Sequence, residues 1–290
     1  MSKLVDRLFV LLQHVLPRYW LTAAVYRLTR VRQNWFKNLL ITRFADIYDV
    51  ELSEIPRAVP DGYTSFNDFF TRSLRDGARP IDQDEHSIVS PVDGTVSASG
   101  AIDRRRLFQA KGKVYTLDEL LAVDVHQTDA YTGGSFATVY LAPHNYHRVH
   151  APVAGKLLAM RYIPGDLYSV NEATVRHLPS LFARNERLVC QFDTMDGPCA
   201  LIFVGALNVG SISTPWTGEI RPRKHGSVDA LTLDSRISTE ISKGQLLGWF
   251  NMGSTVILLF PKDSMNWQDT LKAGSAVHMG EQLGQAAQNQ

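Results

Sequence analysis

The sequence predicts an α+β protein in which a helical amino-terminal region precedes a β-rich domain. Apolar residues recur at helical spacing as far as Phe44, and residues 45–85 continue as helix and loop. From Ile88 onward, short apolar runs separated by glycine and proline replace that pattern, which is typical of strands. The content of 44% hydrophobic and 20% charged residues is that of a folded globular protein. We therefore predict a helical region over residues 1–85 and a β-rich domain over residues 86–290.

Three amphipathic helical patterns open the chain. In the first, Leu4, Leu8, Leu11 and Val15 share one face, with polar residues that include Gln13 on the other. Pro17 ends this pattern, and two further ones follow through Trp20, Leu21, Ala24, Val25, Leu28 and Val31 and then through Trp35, Phe36, Leu39, Leu40 and Phe44. Basic residues opposite leucine, tryptophan and phenylalanine are typical of helices that lie in a membrane interface, but the pattern also fits helices that pack on a core.

Charge is unevenly distributed along a chain whose formal net charge is +1. Residues 1–40 contain seven basic residues against Asp6 alone, so the rest of the chain is net acidic. A basic arm on an acidic body favours an anionic partner, either lipid headgroups or nucleic acid. No stretch approaches the roughly 20 apolar residues of a membrane-spanning helix, and the amino terminus lacks a secretory cleavage site, so we expect a cytoplasmic protein.

The β-rich domain contains six candidate strands and one helix. The strands are Thr95–Ser99, Phe136–Ala142, Lys156–Tyr162, Leu188–Phe192, Ala200–Val204 and Thr255–Phe260, and the helix is near Leu117–Ala122. Cys190 and Cys199 flank a turn, so we expect buried free thiols on neighbouring strands. The turns at residues 91–94 and 152–155 resemble each other, as in hammerhead (barrel-sandwich) folds. The run from Arg184 to Arg187 is typical of a solvated charged segment.

Candidate chemical residues lie in three separate segments. Gly253 and Ser254 precede the buried strand, Asp93 lies in an Asp-Gly turn, and His144, His147 and His150 follow one another at spacings of three. Serine, histidine and aspartate are the parts of an activated hydroxyl nucleophile: the nucleophile, its base and a carboxylate that orients the base. Three histidines also suit a metal site, but the segment contains no cysteine or carboxylate, so we expect no metal.

Together these segments resemble the bacterial phosphatidylserine decarboxylases, which are self-cleaving, pyruvoyl-dependent proenzymes. The likeness covers most of the chain and includes residues 65–72, 109–112, 146–150, 164–171, 181–187 and the Gly-Ser-Thr step at 253–255. Met252 departs from the leucine that is common in bacterial members, but the swap preserves apolar volume. Asn145 stands where some relatives carry aspartate, which argues against a role for a carboxylate there.

The resemblance implies a cleavage between Gly253 and Ser254 into a β chain (1–253) and an α chain (254–290), with Ser254 converted to a covalent pyruvoyl cofactor. It assigns Asp93, His150 and Ser254 to the cleavage and His147 to proton donation during decarboxylation. The implied reaction converts phosphatidylserine to phosphatidylethanolamine and CO2 through a Schiff base. The expected partners are phosphatidylserine, an anionic membrane surface and a second copy in a homodimer, with no nucleic acid. Because the implied substrate is a lipid, we expect the helical region to be an arm that binds the membrane surface, on the cytoplasmic face of the inner membrane.

Three other functions remain open from the residues alone. The paired glycine turns suit a hammerhead carrier or phosphotransfer module, although neither turn carries the lysine that a biotin or lipoyl carrier needs. A serine hydrolase would use an intact Ser254. A non-enzymatic membrane-docking protein would not need Ser254.

Overall fold

The computed structural model describes residues 3–110, 112–123 and 125–287. The three amphipathic patterns form long helices, and the predicted helix near Leu117 is also present. The α-helices are α1 Lys3–Val15, α2 Arg18–Leu28, α3 Asn34–Tyr48, α4 Phe66–Phe70, α5 Leu117–Leu121, α6 Val125–Thr128, α7 Glu172–His177 and α8 Leu181–Arg184, with a 3₁₀ helix at Asp129–Tyr131. The predicted helical start of the chain is confirmed.

An antiparallel sheet of nine strands forms the centre of the β-rich domain. In order across the sheet the strands are β12 Asp229–Leu231, β7 Gly155–Ile163, β8 Arg187–Thr194, β9 Gly197–Val204, β15 Thr255–Phe260, β5 Ser135–Tyr140, β2 Gly94–Ala101 and β17 Ala276–Val277, and β13 Glu240–Ile241 also pairs with β7. All six predicted strands lie in this sheet, so the α+β prediction is confirmed. Cys190 on β8 and Cys199 on β9 are buried free thiols, also as predicted.

The described residues also form three smaller antiparallel sheets. They comprise β11 Gly218–Ile220, β10 Ile212–Thr214, β14 Leu246–Phe250 and β6 Arg148–His150; then β1 Ser87–Val89, β18 Gln282–Ala286 and β16 Met265–Trp267; and the hairpin of β3 Arg106–Ala110 with β4 Lys113–Thr116. These strands were not predicted from the sequence, because each has only three to five residues and little alternation of apolar and polar side chains.

Two hydrophobic clusters of described residues stabilise the fold. The main one covers the central sheet and includes Val10 of α1, so this helix packs on the β-rich domain. The smaller one joins Ile41 of α3 to Phe66, Phe69 and Phe70 of α4, and Met252 packs on its edge. The phenylalanines of α4 are therefore core residues. The division of the chain at residue 85 stays a prediction.

Helix α1 turns a polar residue inward and leucines outward. Gln13 is buried because its side-chain amide donates to Thr174 Oγ1 at 3.0 Å and accepts from the Ser169 N–H at 2.8 Å. By contrast, Leu11 is 62% exposed. No single described helix is long and apolar enough to cross a membrane; only the bent pair Val5–Val15 and Arg18–Leu28 meets that test, by length and composition.

The prediction that residues 184–187 form a solvated charged segment is wrong. Asn185, Glu186 and Arg187 are buried. The Asn185 amide bonds to Tyr168 N and O and to Gly205 O, and the Arg187 guanidinium donates to the carbonyls of Glu119, Leu120 and Asn185. Backbone partners of this kind make the burial of polar side chains tolerable. Since Asn185 holds Tyr168, the segment fixes the loop that precedes α7.

Candidate active site

Residues 251–254 connect two sheets at the candidate site; we call this segment the crossing. Strand β14 ends at Phe250 in the four-stranded sheet, and β15 begins at Thr255 in the nine-stranded sheet. Ser254, the last residue of the crossing, is fully buried, and its carbonyl accepts from the Leu141 N–H at 2.8 Å. Among the described residues, none forms a hydrogen bond with Ser254 Oγ. A buried hydroxyl without a partner is unfavourable, and the adjoining Thr255 Oγ1 also lacks one among the described residues; only Ser254 directly follows a glycine, which makes it the candidate for a chemical role.

The start of the crossing is tightly anchored at Asn251. Its backbone N–H donates to Ser211 O at 3.0 Å, and its side-chain amide donates to the hydroxyls of Ser211 and Ser213 at 2.8 and 3.0 Å. The Asn67 amide of α4 donates to the Asn251 carbonyl at 2.7 Å. With Asn251 fixed at one end and β15 at the other, the backbone between them has little freedom.

His147 lies against the predicted cleavage site. A β-carbon at position 253 would lie 3.1 Å from His147 Cε1, so glycine is the residue that permits this close approach. The imidazole stacks on Phe70 with ring centroids 4.0 Å apart. Its Nε2 donates to Pro143 O at 3.2 Å, and within the described part of the chain Nδ1 has no hydrogen-bond partner. Burial, reinforced by the nearby Arg72 cation, lowers the pKa of His147 to about 3, so the ring is neutral near pH 7.

Asp93 and His150 form a second group. The Arg79 guanidinium binds both Asp93 oxygens, with its shortest contact at 2.7 Å, and the Met279 N–H donates to Asp93 at 2.9 Å. His150 contacts Gly244 O through Nδ1 at 2.8 Å and the Tyr146 hydroxyl through Nε2 at 3.0 Å. Burial lowers the pKa of His150, and the nearby Asp93 carboxylate opposes that shift.

The structure thus brings Gly253, Ser254 and His147 together and places Asp93 close to His150. No hydrogen bond between His150 and Ser254 is present among the described residues, because both imidazole nitrogens have other partners and Ser254 Oγ has none. The roles assigned to these residues by resemblance stay predictions. The third histidine of the segment, His144, interacts with Arg72: the His144 backbone carbonyl accepts a hydrogen bond from Arg72 Nη2 at 2.9 Å.

A cavity of about 200 Å³ opens beside Gly253; we call it the Gly253 cavity. Helix α3 supplies Phe44 and Tyr48 to its wall, and the loop before α7 supplies Ser169, Val170 and Asn171. The remaining described lining residues include Phe70, Tyr140, Leu141, Asn208 and Met252. The described residues include no group of three or more histidines, cysteines or carboxylates that could hold a metal ion.

Sequence reasoning missed three residues that position the site. Arg79 binds Asp93, Asn67 binds Asn251, and Phe70 stacks on His147. Asn67 and Phe70 lie in the segment 65–72 that supported the resemblance, so their place in the likeness was a signal, although their contacts were not. No pattern in the sequence singles out Arg79.

Known proteins resemble this chain over nearly its whole length. A family model described as phosphatidylserine decarboxylase matches residues 66–285, and a second, described as PSD, matches residues 8–49. A phosphatidylserine decarboxylase proenzyme of Hahella chejuensis is 46% identical over 98% of this chain and 96% of its own length. Proenzymes of the same name from Methylococcus capsulatus (46% identical, 98% of both chains) and Nitrosococcus oceani (47%, 98% of this chain and 92% of its own) are equally similar. The chain therefore belongs to the phosphatidylserine decarboxylase family of enzymes.

Proposed function

We propose that this chain is a proenzyme that cleaves its backbone between Gly253 and Ser254, converts Ser254 to a pyruvoyl group and decarboxylates phosphatidylserine to phosphatidylethanolamine. The observation that carries the proposal is the buried Ser254 hydroxyl, which follows a glycine at the start of a rigid strand and has no hydrogen-bond partner among the described residues. The relatives named as proenzymes support it.

In the proposed cleavage, His150 removes the Ser254 proton. The Gly244 carbonyl orients the ring through Nδ1, and the nearby Asp93 carboxylate stabilises the imidazolium that forms. The freed oxygen attacks the Gly253 carbonyl, and the peptide bond becomes an ester. Elimination breaks that ester, and water releases ammonia from the dehydrated residue to leave the ketone. For this step, His150 Nε2 must leave the Tyr146 hydroxyl, since that contact occupies it in the uncleaved chain.

The residues present fit the group that Ser254 would become. When formed, a pyruvoyl ketone bonds the substrate amine and accepts the electrons that departing CO2 leaves behind. The Leu141 N–H points at the Ser254 carbonyl oxygen, which is the atom where negative charge would develop. The Gly253 cavity adjoins this position, and we propose that it receives the headgroup once the chain has been cleaved.

Cleavage would also change His147. A neutral imidazole with a pKa of about 3 is a poor proton donor near pH 7. The elimination that breaks the ester releases a carboxylate at Gly253, which adjoins this ring. An opposite charge within about 4–6 Å favours the protonated form of an imidazole. We therefore infer that self-cleavage raises the pKa of His147 and readies it to return a proton to the substrate carbon.

Exposed apolar side chains support the proposal that the arm binds a membrane surface. Of the eighteen large hydrophobic residues that are exposed in the described chain, thirteen lie between Val5 and Leu52, and Trp20 and Trp35 are 79% and 73% exposed. Fewer cations of the arm are available to bind anionic lipid than the sequence implied. Arg18 pairs with Asp166, Arg30 pairs with Glu219, and Lys37 is buried. We propose a peripheral location on the cytoplasmic face of the inner membrane; the homodimer also stays a proposal.

The test is to express the wild type beside Ser254→Ala, His150→Ala, Asp93→Asn and His147→Ala. We expect the wild type to give fragments 1–253 and 254–290, the smaller with the mass of a pyruvoyl end, and to release CO2 from phosphatidylserine. The first three variants should remain intact and inactive. His147→Ala should be cleaved and yet release little CO2.

Ser227→Ala and His225→Ala are matched controls, since both residues are exposed. They should behave as the wild type does. An uncleaved wild-type chain that turns over phosphatidylserine, or an active Ser254→Ala variant, would contradict the proposal. Labelling of a mature wild-type chain at Ser254 by a fluorophosphonate would instead indicate a serine hydrolase.

A further inference from the structure

A second and larger cavity, of about 660 Å³, adjoins the Gly253 cavity. The two share Tyr140 and Val170 in their walls. Val96 of β2, Phe108 and Ala110 of β3 and Val175 of α7 supply most of the remaining apolar wall. We call this space the apolar cleft. Nothing in the chemistry of cleavage uses it.

The walls of the apolar cleft are preformed. Asn171 caps α7 by accepting from the Thr174 N–H at 3.0 Å. The buried Gln109 amide of β3 donates to the carbonyls of Val175 and Leu178 at 2.8 Å, which fixes α7 against the hairpin. A rigid cavity with apolar walls is the usual form of a binding site for an apolar ligand. Phe108 is nevertheless 48% exposed, so part of this surface lacks a covering group within the described chain.

The position of the cleft connects the candidate site with the membrane arm. Helix α7 turns Val175 and Arg176 toward the cleft, while its Thr174 accepts a hydrogen bond from Gln13 of α1. The neighbouring residues of α1, among them Leu11, are exposed. At the rim, Glu172 and Arg176 form an ion pair, so an apolar interior meets a charged edge. This arrangement suits an amphiphile.

We propose that the apolar cleft binds one acyl chain of the phospholipid whose headgroup occupies the Gly253 cavity. This rests on the proposed function. A glycerol backbone joins the headgroup to its acyl chains, so a substrate held at Gly253 needs an apolar space directly beside it, and the cleft shares two wall residues with that cavity. Each methylene that leaves water for the cleft should strengthen binding about fourfold.

The test uses phosphatidylserines with two butanoyl, hexanoyl or octanoyl chains, each below its critical micelle concentration, so that no lipid surface contributes. We expect kcat/KM of the wild type to rise with chain length by up to about fourfold for each methylene of the bound chain. Phe108→Ser makes the wall polar, and Ala273→Trp fills the cleft from an exposed lining position. Both should reduce the dependence on chain length to about half or less.

Leu158→Ser and Ala230→Trp are matched controls, because both residues are exposed on strands that do not line the cleft. They should keep the wild-type dependence, and complete self-cleavage shows that each variant is folded. The inference is overturned if Phe108→Ser and Ala273→Trp respond to chain length as the wild type does. It is equally overturned if Phe108→Ser only converts a dimer to a monomer, since the face would then bind a second copy. If the wild type is not cleaved and does not decarboxylate even the butanoyl substrate, the proposed function fails too.

Discussion

Asn67→Asp is expected to slow self-cleavage by about five- to tenfold. The variant keeps the size of the side chain but removes the N–H that donates to the Asn251 carbonyl at 2.7 Å. Aspartate in the first turn of α4 is favourable toward the helix dipole, so the helix itself should not weaken. The change therefore acts on the anchor of the segment that contains Gly253 and Ser254, where the N–H donor is lost and the new carboxylate repels the Asn251 carbonyl oxygen.

The magnitude follows from one hydrogen bond. A neutral hydrogen bond in a protein contributes about 0.5–1.5 kcal/mol, and a factor of ten corresponds to about 1.4 kcal/mol. If Asn67 keeps the crossing in its reactive arrangement, losing the bond lowers the population of that arrangement, and the observed rate falls in proportion. Because the new carboxylate also repels the Asn251 carbonyl oxygen, the upper half of that range applies, and it gives the stated factor. Asn251 retains its contacts to Ser211 and Ser213, which prevents complete loss.

The assay follows labelled precursor from cell-free synthesis on denaturing gels, as the intact chain converts to its two fragments. Asn266→Asp is the matched control, because it makes the same change at an exposed position. Melting temperatures of both variants in the uncleavable Ser254→Ala background measure the stability of the precursor. The reasoning is refuted if Asn67→Asp is cleaved at the wild-type rate. It is also refuted if Asn67→Asp is slowed no more than another variant whose melting temperature falls by a similar amount.

Two further predictions concern the arm and a buried acid. Trp20→Ser with Trp35→Ser should weaken binding to anionic vesicles about tenfold or more in a sedimentation assay, whereas Met195→Ser, equally exposed outside the arm, should not; unchanged binding would show that the arm does not dock. Burial raises the pKa of Glu186 to about 7 from an ordinary 4.5, so the folded state holds a proton that the unfolded state lacks between these values. The free energy of unfolding of the wild type should therefore fall, relative to that of Glu186→Gln, by about 1.4 kcal/mol per pH unit from pH 4.5 to 7. Urea unfolding measures this difference, and Glu240→Gln, at an exposed position, is the control. A difference that does not change with pH would contradict the prediction.

Much of the fold could be predicted because its signals are local. Helical periodicity located α1, α2 and α3, and the run Val256–Phe260 located β15, since a strand buried on both faces is apolar throughout. The short strands of the smaller sheets lack such a signal, and pairing with distant partners decides their existence.

The burial of polar residues was the least predictable feature. Gln13, Asn185 and Arg187 carry polar groups that an isolated segment would leave in water, and each is buried because distant backbone or hydroxyl groups complete its hydrogen bonds. Asn67 is only half-buried, but its partner is likewise distant, 184 residues away. Such partners cannot be inferred from spacing along the chain.

By itself, the sequence determined the family of this protein, the helical arm and the position of Ser254 next to a strand, because these depend on residue identity and short-range periodicity. The tertiary structure decided which histidine adjoins Gly253, that Arg79 holds Asp93, and that an apolar cleft meets the Gly253 cavity. Those features arise where strands and helices far apart in the chain pack together, and the free energy that selects such packing belongs to the whole fold and not to any single segment.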